Sequence, residues 1–281
     1  MNNPGGIDMG IDIHDLIGPP NSVYSLPSIH IRLHEKLKDP YSANAEIADL
    51  IEKDPGLSLV VLKIVNSAIY GFRQSISTIN QAINLLGRNE LSVLLLSTGV
   101  VSLFKKLSIQ QELLNKHWQH SLLCGLIAKH LAPHCNLADD SQSLFMAGLL
   151  HDLGKPVIWH KLPDLSKTLY AEIRLNDSHE HEQNLLGFSH AEVGYELMKS
   201  WGLPENLQAT TLFHHHAENA NQFKNWCQLI ELANQLAHDH ADSEIASILT
   251  TSNIEFSEAT VSEALQQAQM LLADTVKLYL G

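Results

Sequence analysis

The chain has 281 residues, of which 44% are hydrophobic and 17% charged, so it can bury a core as one large domain or two small ones. Its 18 lysines and arginines against 31 aspartates and glutamates give a net charge of −13. Beyond the pair Lys105-Lys106 the sequence has no basic cluster, and without one it lacks the charge that contacts nucleic-acid phosphates. Direct nucleic-acid binding is therefore disfavoured, whereas a protein partner with a basic face is compatible with this composition.

The cysteines and the apolar stretches predict the compartment. Cys124, Cys135 and Cys227 are scattered and have no CxxC spacing, which argues against a disulfide framework or a thiolate zinc site and favours a reducing cytosol. The first residues have neither the basic region nor the apolar region of a signal peptide. The longest apolar stretch, residues 91–104, is shorter than the roughly 20 residues that cross a bilayer. We expect a soluble, cytoplasmic protein with no membrane partner.

Most segments along the chain have helical spacing and helical end signals. Residues 28–40 place Ile29, Leu33 and Leu37 on one stripe and stop at a proline, and Ser42 is a plausible N-cap for the next helix. Three further helical segments lie in the N-terminal part of the chain: "GLSLVVLKIVNSAIYG", "ISTINQAINLLG", which starts at Ser77 or Thr78 and ends at Gly87, and "NELSVLLLSTGVVSLFKK". Their lengths and caps favour helices over strands, so the fold is predicted to be all-α.

Two expectations concern the helix predicted for "GLSLVVLKIVNSAIYG", which is apolar nearly all round. The residues from Leu57 to Ile69 leave few polar positions to face water, so this helix should be buried on most of its circumference. Asn66, at its end, should hydrogen-bond the backbone rather than a ligand.

The drop in apolar density at residues 105–111 suggests a boundary between two halves. We predict a loosely packed tail at 1–20, a helical subdomain at 21–107 and a second helical subdomain with C-terminal helices at 108–281. Two segments, 136–143 and 175–183, are predicted to be exposed loops.

Two sets are distinguished among the 17 histidines. Those in polar or amphipathic contexts are interpreted as solvated surface residues: His30, His34, His179, His181, His238 and His240. A second set has apolar neighbours at helix positions: His120, His151, His190 and the run His214-His215-His216. Each of these alone could be a core histidine whose nitrogens bond backbone or water. Together they could form a metal site, because imidazole and carboxylate are preferred ligands of divalent ions and several helices can each supply one.

The dipeptide His151-Asp152 in "AGLLHDLGKPV" (147–157) favours the metal site most strongly. Adjacent residues of a helix do not share a face, so both can reach one ion only at a helix end or an irregular turn. Gly154 followed by Pro156 provides such an end.

These motifs, with "SHAEVGYELMKSWGLP" and "HHH", resemble the HD superfamily of metal-dependent phosphohydrolases. The stretch from Leu26 to His216 more closely resembles an HDOD domain, because "LPSIHIRL", "IADLIEKDPGLSLVVLKIVNSAIYGF" and "ISTINQAINLLG" also match that family. The resemblance implies an all-α fold in which an N-terminal helical subdomain packs on an HD-like helical bundle.

The resemblance also implies a set of site residues. The metal ligands fall on His120, His151, Asp152, His190, His214 and His215, and Glu182 matches an acidic residue that precedes the His190 segment. Asp152 and Lys155 are the candidate catalytic residues, since Lys155 could neutralise a phosphate. The implied cofactor is a weakly held divalent metal: Fe, Mn, Zn or Mg.

Two departures from the HD pattern bear on activity. HD hydrolases close the site with a late aspartate, whereas "LIELANQLAH" has Asn234 at that place, which exchanges an anionic oxygen for a neutral one. Hydrolases of cyclic dinucleotides of the HD-GYP type follow the double histidine with an acidic residue and a "GYP" signature, whereas this chain continues "HHHAENANQFKN". The sequence therefore disfavours that activity.

Two functions remain open. The first, which Asn234 favours, is an HDOD-type module of bacterial signal transduction that binds a signalling protein or a small nucleotide-like ligand. The second is a metal-dependent phosphohydrolase, in which a divalent ion would activate a water to attack phosphorus while Lys155 absorbs developing charge. The sequence leaves open whether the chain is an enzyme.

Overall fold

The computed structural model describes residues 11–19, 22–166, 178–238, 242–252 and 254–281. These residues are mostly helical and contain no β-strand, so the predicted all-α fold is confirmed. None of the helices described is long and apolar enough to cross a membrane.

The chain divides into two compact units. The small unit comprises Leu26–Lys106 and Gln269–Gly281, and the large unit comprises Leu107–Ala268 with the described part of Met1–Ser25. The predicted domain limits (1–20, 21–107 and 108–281) stay a prediction. The grouping in the structure places 22–25 with the large unit and 269–281 with the small unit.

The small unit is built from four helices and the end of a fifth. These are α2 (Ser28–Lys38), α3 (Asn44–Glu52), α4 (Pro55–Val65), α5 (Ile79–Lys105) and the last part of α14 (Glu258–Leu280). The Thr78 hydroxyl caps α5 by accepting from the Gln81 amide, and α5 breaks at Gly87, whose φ of 79° is left-handed. Ser42 is not the predicted cap of α3: Ala43 holds that position, and the Ser42 hydroxyl donates to Asp39 instead.

The expectation for α4 is met on one face only. Val61, Ile64 and Val65 are fully buried, but the Leu59 side chain is 54% exposed, because α4 turns this residue away from the helices packed against it. Asn66 bonds the backbone as predicted: its Nδ2 donates to the carbonyls of Leu62 and Ile76, and its Oδ1 accepts from the Ile76 amide at 2.7 Å. Asn66 thus ties the end of α4 to the segment that leads into α5.

The large unit carries the remaining helices: α1 (Ile13–Ile17), α6 (Gln111–Leu131), α7 (Ser141–Leu150), α8 (Gly154–Lys161), α9 (Ser178–Leu186), α10 (His190–Ser200), α11 (Glu205–Phe213), α12 (Lys224–Leu236), α13 (Asp242–Thr251) and the start of α14. Helix α6 packs along α7 and also contacts α12.

Two pairs of glycines set the closest helix approaches in this unit. Gly125 of α6 faces Gly148 of α7 so closely that a Cβ on Gly148 would lie 2.5 Å from the Gly125 Cα. Gly154, which begins α8, lies against α10, where a Cβ on Gly154 would collide with the His190 carbonyl oxygen and lie 2.8 Å from the Gly194 amide nitrogen. Only glycine allows these backbones to touch, and both contacts flank the histidine cluster.

Candidate metal centre

The centre is built around a turn between α7 and α8. His151 is the C-cap of α7, Asp152 lies in the turn that follows, and α8 begins at Gly154, so the two adjacent side chains lie at a helix end, where both can reach one point as the sequence argument requires. Both are buried, and Nδ1 of His151 lies 2.7 Å from the Gly148 carbonyl oxygen. Because that bond takes the N–H at Nδ1, Nε2 of His151 is directed to Asp152, 3.4 Å from its Oδ2.

His190 enters from the first residue of α10. The helix is fixed by a capping box in which Ser189 and Glu192 bond each other's backbone amides. The Glu182 carboxylate, buried on α9, accepts from both the amide and Nδ1 of His190, at 2.6 Å each. Nε2 of His190 is thereby directed at Asp152, 3.1 Å from its Oδ1. Glu182 therefore orients His190 rather than adding an oxygen at the centre.

His214 and His215 follow the last residue of α11. Nδ1 of His214 donates to the Thr211 carbonyl at 2.7 Å, and its Nε2 lies 3.3 Å from Oδ1 of Asp152. Nε2 of His190 lies 3.3 Å from that of His214 and 3.1 Å from that of His215. Three imidazoles thus present the same nitrogen to one point.

His120 and Asn234 close the other side of Asp152. Nε2 of His120, on α6, lies 3.9 Å from Oδ2 of Asp152 and 3.0 Å from Oδ1 of Asn234, on α12. An N–H at Nε2 of His120 therefore donates to the amide oxygen. Both of these atoms would have to leave that bond in order to bind an ion.

All six predicted ligands come together in the structure. They form two groups that share Asp152, one with His190, His214 and His215 and one with His120 and His151, and in each group the ligand atoms lie within 4.8 Å of one another. Nε2 of His151 and Oδ1 of Asp152 are buried without a hydrogen-bond partner among the described residues. Several of the histidines are oriented by hydrogen bonds at Nδ1, and these two buried atoms remain available as metal ligands. This set of residues therefore fits a divalent metal ion.

Lys155 is part of the same buried cluster. Its Nζ lies 2.6 Å from Oδ2 of Asp152, and the residue is 3% exposed. Burial acts to raise the pKa of Asp152, but the charges of His151 and Lys155 outweigh it and hold this pKa well below its usual range. Asp152 is therefore an anion whose charge is already shared with Lys155.

The histidines of the centre differ in their protonation. Burial lowers the pKa of both His120 and His214 to about 3, which keeps them neutral and able to bind a metal. Burial also acts to lower the pKa of His151, but the Asp152 carboxylate outweighs it and raises this pKa to about 10. A metal that binds Nε2 of His151 must therefore displace a proton.

Sequence reasoning missed several residues of the large unit. His238 was assigned to the solvated set but is half-buried, and its ring stacks on that of His120 with 4.4 Å between centroids. His238 lies four residues after Asn234, and this spacing was the sequence signal that could have placed it beside Asn234. His179 is likewise half-buried, with its ring centroid 4.7 Å from that of His215, whereas His181 is exposed as predicted. His240 lies outside the described residues.

Two cavities adjoin the cluster. One, beside Asp152 and Lys155, has a volume of about 10 Å³ and is walled by His117 and Trp159. The other has a volume of about 340 Å³ and is lined by His215, Asn234, Gln235, His238, Ser247, Ile248 and Thr251. The Asp152–Lys155 side of the cluster thus has room for about one water or ion, while the Asn234 side faces a larger space.

We expect Gly154→Ala to lower the free energy of unfolding by about 1–3 kcal/mol and to weaken Mn²⁺ binding, because the new Cβ would displace the His190 backbone. Urea denaturation and calorimetric titration measure the two effects. Gly202→Ala is the control: its φ of 64° is left-handed, but a Cβ there meets no atom within 4 Å. The control should lose about 1–2 kcal/mol and bind Mn²⁺ normally. Normal Mn²⁺ binding by Gly154→Ala would contradict the prediction.

The family model of the HDOD domain matches residues 23–217. A curated relative, an uncharacterized protein of Treponema pallidum (strain Nichols), is 28% identical over 222 residues, which cover 76% of this chain and 42% of the relative. The chain thus spans less than half the length of that relative.

Several solved structures share the fold. An HDOD domain protein with unknown function from Geobacter sulfurreducens has a TM-score of 0.69 at 28% identity, covering 91% of this chain and 93% of its own. A candidate phosphohydrolase from Shewanella amazonensis SB2B has a TM-score of 0.72 at 24% identity, with coverage of 89% and 94%. A candidate signal transduction protein from Marinobacter aquaeolei VT8 has a TM-score of 0.64 at 19% identity, with coverage of 96% and 61%.

Proposed function

Because the chain belongs to the HDOD domain family, we propose that it is a regulatory module of bacterial signal transduction, which binds a signalling protein or a small nucleotide-like ligand and holds a divalent metal weakly at a degenerate HD site. The observation that carries this proposal is the position of Asn234, whose amide oxygen lies 3.0 Å from His120 where HD hydrolases have an aspartate. A neutral oxygen there removes one negative charge from the ligand set.

The proposed ligands are His120, His151, Asp152, His190, His214 and His215. A bound divalent ion would supply positive charge that polarises a coordinated group. The protein's own residues oppose strong binding, because Lys155 already neutralises Asp152 and the His120–Asn234 bond must break first. This competition supports a weakly held metal, whether Fe, Mn, Zn or Mg.

The steric surroundings also favour binding over hydrolysis. The cavity beside Asp152 and Lys155 is about 10 Å³, too small for a phosphoester, so Lys155 cannot reach a substrate phosphate through it without rearrangement of His117 or Trp159. A regulatory ligand would enter from the 340 Å³ cavity, past His238 and Asn234. We also propose a cytoplasmic location, which the free thiols of Cys124, Cys135 and Cys227 support.

One arrangement favours the alternative function, a metal-dependent phosphohydrolase. Asp152 belongs to both ligand groups, so a single carboxylate could hold two ions side by side. In that function Asp152 would fix the reacting groups, and Lys155 would turn from Asp152 to a substrate phosphate.

The deciding experiment measures metal content and phosphodiester hydrolysis of the purified protein. We expect less than one metal ion per chain by elemental analysis, and no hydrolysis of bis(p-nitrophenyl) phosphate in Mn²⁺ or Fe²⁺ above that of Asp152→Ala. Turnover that is abolished both by a chelator and by Asp152→Ala would establish the phosphohydrolase and reject the regulatory proposal.

A further inference from the structure

We propose that the small unit contains a second ligand site, a cavity beside His30 that binds a small organic anion through Lys105 and holds the apolar body of that anion against Leu57 and Val60. This inference goes beyond the proposed function, since none of these residues belongs to the metal centre. The cavity has a volume of about 310 Å³, which lies within the range of small-molecule sites.

His30 is the polar group that a ligand would satisfy. It is 8% exposed, and both ring nitrogens are buried without a hydrogen-bond partner among the described residues. A buried polar group without a partner costs about 1–3 kcal/mol, so a residue kept in this state needs an explanation. The placement of the ring is specific, because it packs on the backbone of Gly99, where a Cβ would lie 2.6 Å from Cδ2 of His30.

Charge selects the ligand class. Two charged side chains line the cavity, and Asp54 is already engaged: its Oδ1 accepts from the Leu57 amide at the positive end of α4. Lys105 is exposed and forms no ion pair with another described residue, so its ammonium group is available to bind a ligand. A carboxylate or a phosphate would pair with it.

The rest of the lining selects the body of the ligand. Leu57, Val60 and Leu278 provide apolar surface, while the Thr98 and Ser102 hydroxyls stand on the α5 side. Burial lowers the pKa of His30, so the imidazole is neutral and offers one donor and one acceptor. Such a lining fits an apolar or aromatic molecule that carries one anionic group and one further polar group.

The test uses the full chain in EDTA, so that no metal at the other site binds the probes. The imidazole signals of His30, assigned with His30→Gln, are followed by NMR during titration with benzoate, phenyl phosphate and the neutral benzyl alcohol. We expect saturable shifts of His30 with benzoate or phenyl phosphate, and the tighter of the two identifies the anionic group. Benzyl alcohol should bind at least tenfold more weakly.

Lys105→Met should weaken the binding of the anion by about tenfold, as expected for the loss of one charge-assisted hydrogen bond. Lys63→Met removes the same charge from an exposed residue of α4 that does not line the cavity, and it should leave binding unchanged. No shift of His30 with either anion would reject the site, and it would mean that only water occupies the cavity. Equal binding by Lys105→Met, or by benzyl alcohol, would reject the anionic ligand class.

Discussion

Asn234→Asp is expected to raise metal affinity by roughly tenfold or more, and to bring the purified protein close to one bound ion per chain. A tenfold gain corresponds to about 1.4 kcal/mol, which is small beside the energy of an added anion a few ångströms from a divalent cation in a buried site. Asn234 is 5% exposed, and its Oδ1 lies 3.0 Å from Nε2 of His120, so the new carboxylate would stand at the edge of the ligand set. Calorimetric titration with Mn²⁺ and elemental analysis measure the change.

The matched control for this variant is Gln235→Glu. It adds the same charge one residue along α12, on a half-buried side chain that lines the larger cavity rather than bonding His120. The control should change Mn²⁺ affinity by much less than Asn234→Asp does. Unchanged metal content in Asn234→Asp would show that Asn234 does not hold the ligand position. Phosphodiester hydrolysis that appears in the variant alone would show that this single charge separates the regulatory site from a catalytic one.

Lys155→Met is expected to lower the free energy of unfolding of the metal-free protein by about 3 kcal/mol at neutral pH. The substitution keeps the length of the buried side chain but leaves the Asp152 carboxylate without the ammonium group 2.6 Å away. Mn²⁺ should recover much of the loss, because the ion would then neutralise Asp152 in place of Lys155. Urea denaturation in EDTA and in Mn²⁺ measures both effects.

Two further variants complete this experiment. The double variant Lys155→Met with Asp152→Asn removes both charges, so it should lose less stability than Lys155→Met and should not respond to Mn²⁺. Lys116→Met breaks an exposed ion pair with Glu112 and should cost less than about 1 kcal/mol. If Lys155→Met also cost less than about 1 kcal/mol in EDTA, His151 and His190 would be sufficient to neutralise Asp152, and the proposed competition between Lys155 and a metal would be wrong.

Much of the metal centre could be predicted from sequence, because the signals for its ligands come from residues close to them in the chain. His151 and Asp152 follow an apolar run and precede Gly154, so their sequence alone indicates a buried turn. His190 and His214 also lie at helix ends. Helix boundaries are equally local: Thr78 and Gly87 were found because capping and left-handed glycine depend on a few neighbours.

What could not be predicted depends on tertiary neighbours. His30 lies in an amphipathic segment and His238 in a polar one, so the sequence indicated solvated side chains, but the first packs on Gly99 and the second on His120. Leu59 shows the reverse error, since an apolar pattern all round α4 cannot tell which side other helices cover. The pairing of Lys155 with Asp152 was missed for a different reason: the two residues are only three apart in sequence, but the resemblance indicated a phosphate partner for Lys155 instead.

The crossing of α6 and α7 at Gly125 and Gly148 makes the centre robust to mutation elsewhere. His120 lies five residues before one glycine and His151 three residues after the other, so the separation of the two imidazoles is set where main chain meets main chain. Side chains farther along the two helices can therefore vary in size at a cost to stability but with little effect on ligand spacing. The same contact leaves either glycine almost no tolerated replacement, so variation at this crossing should be far narrower than in the surrounding core.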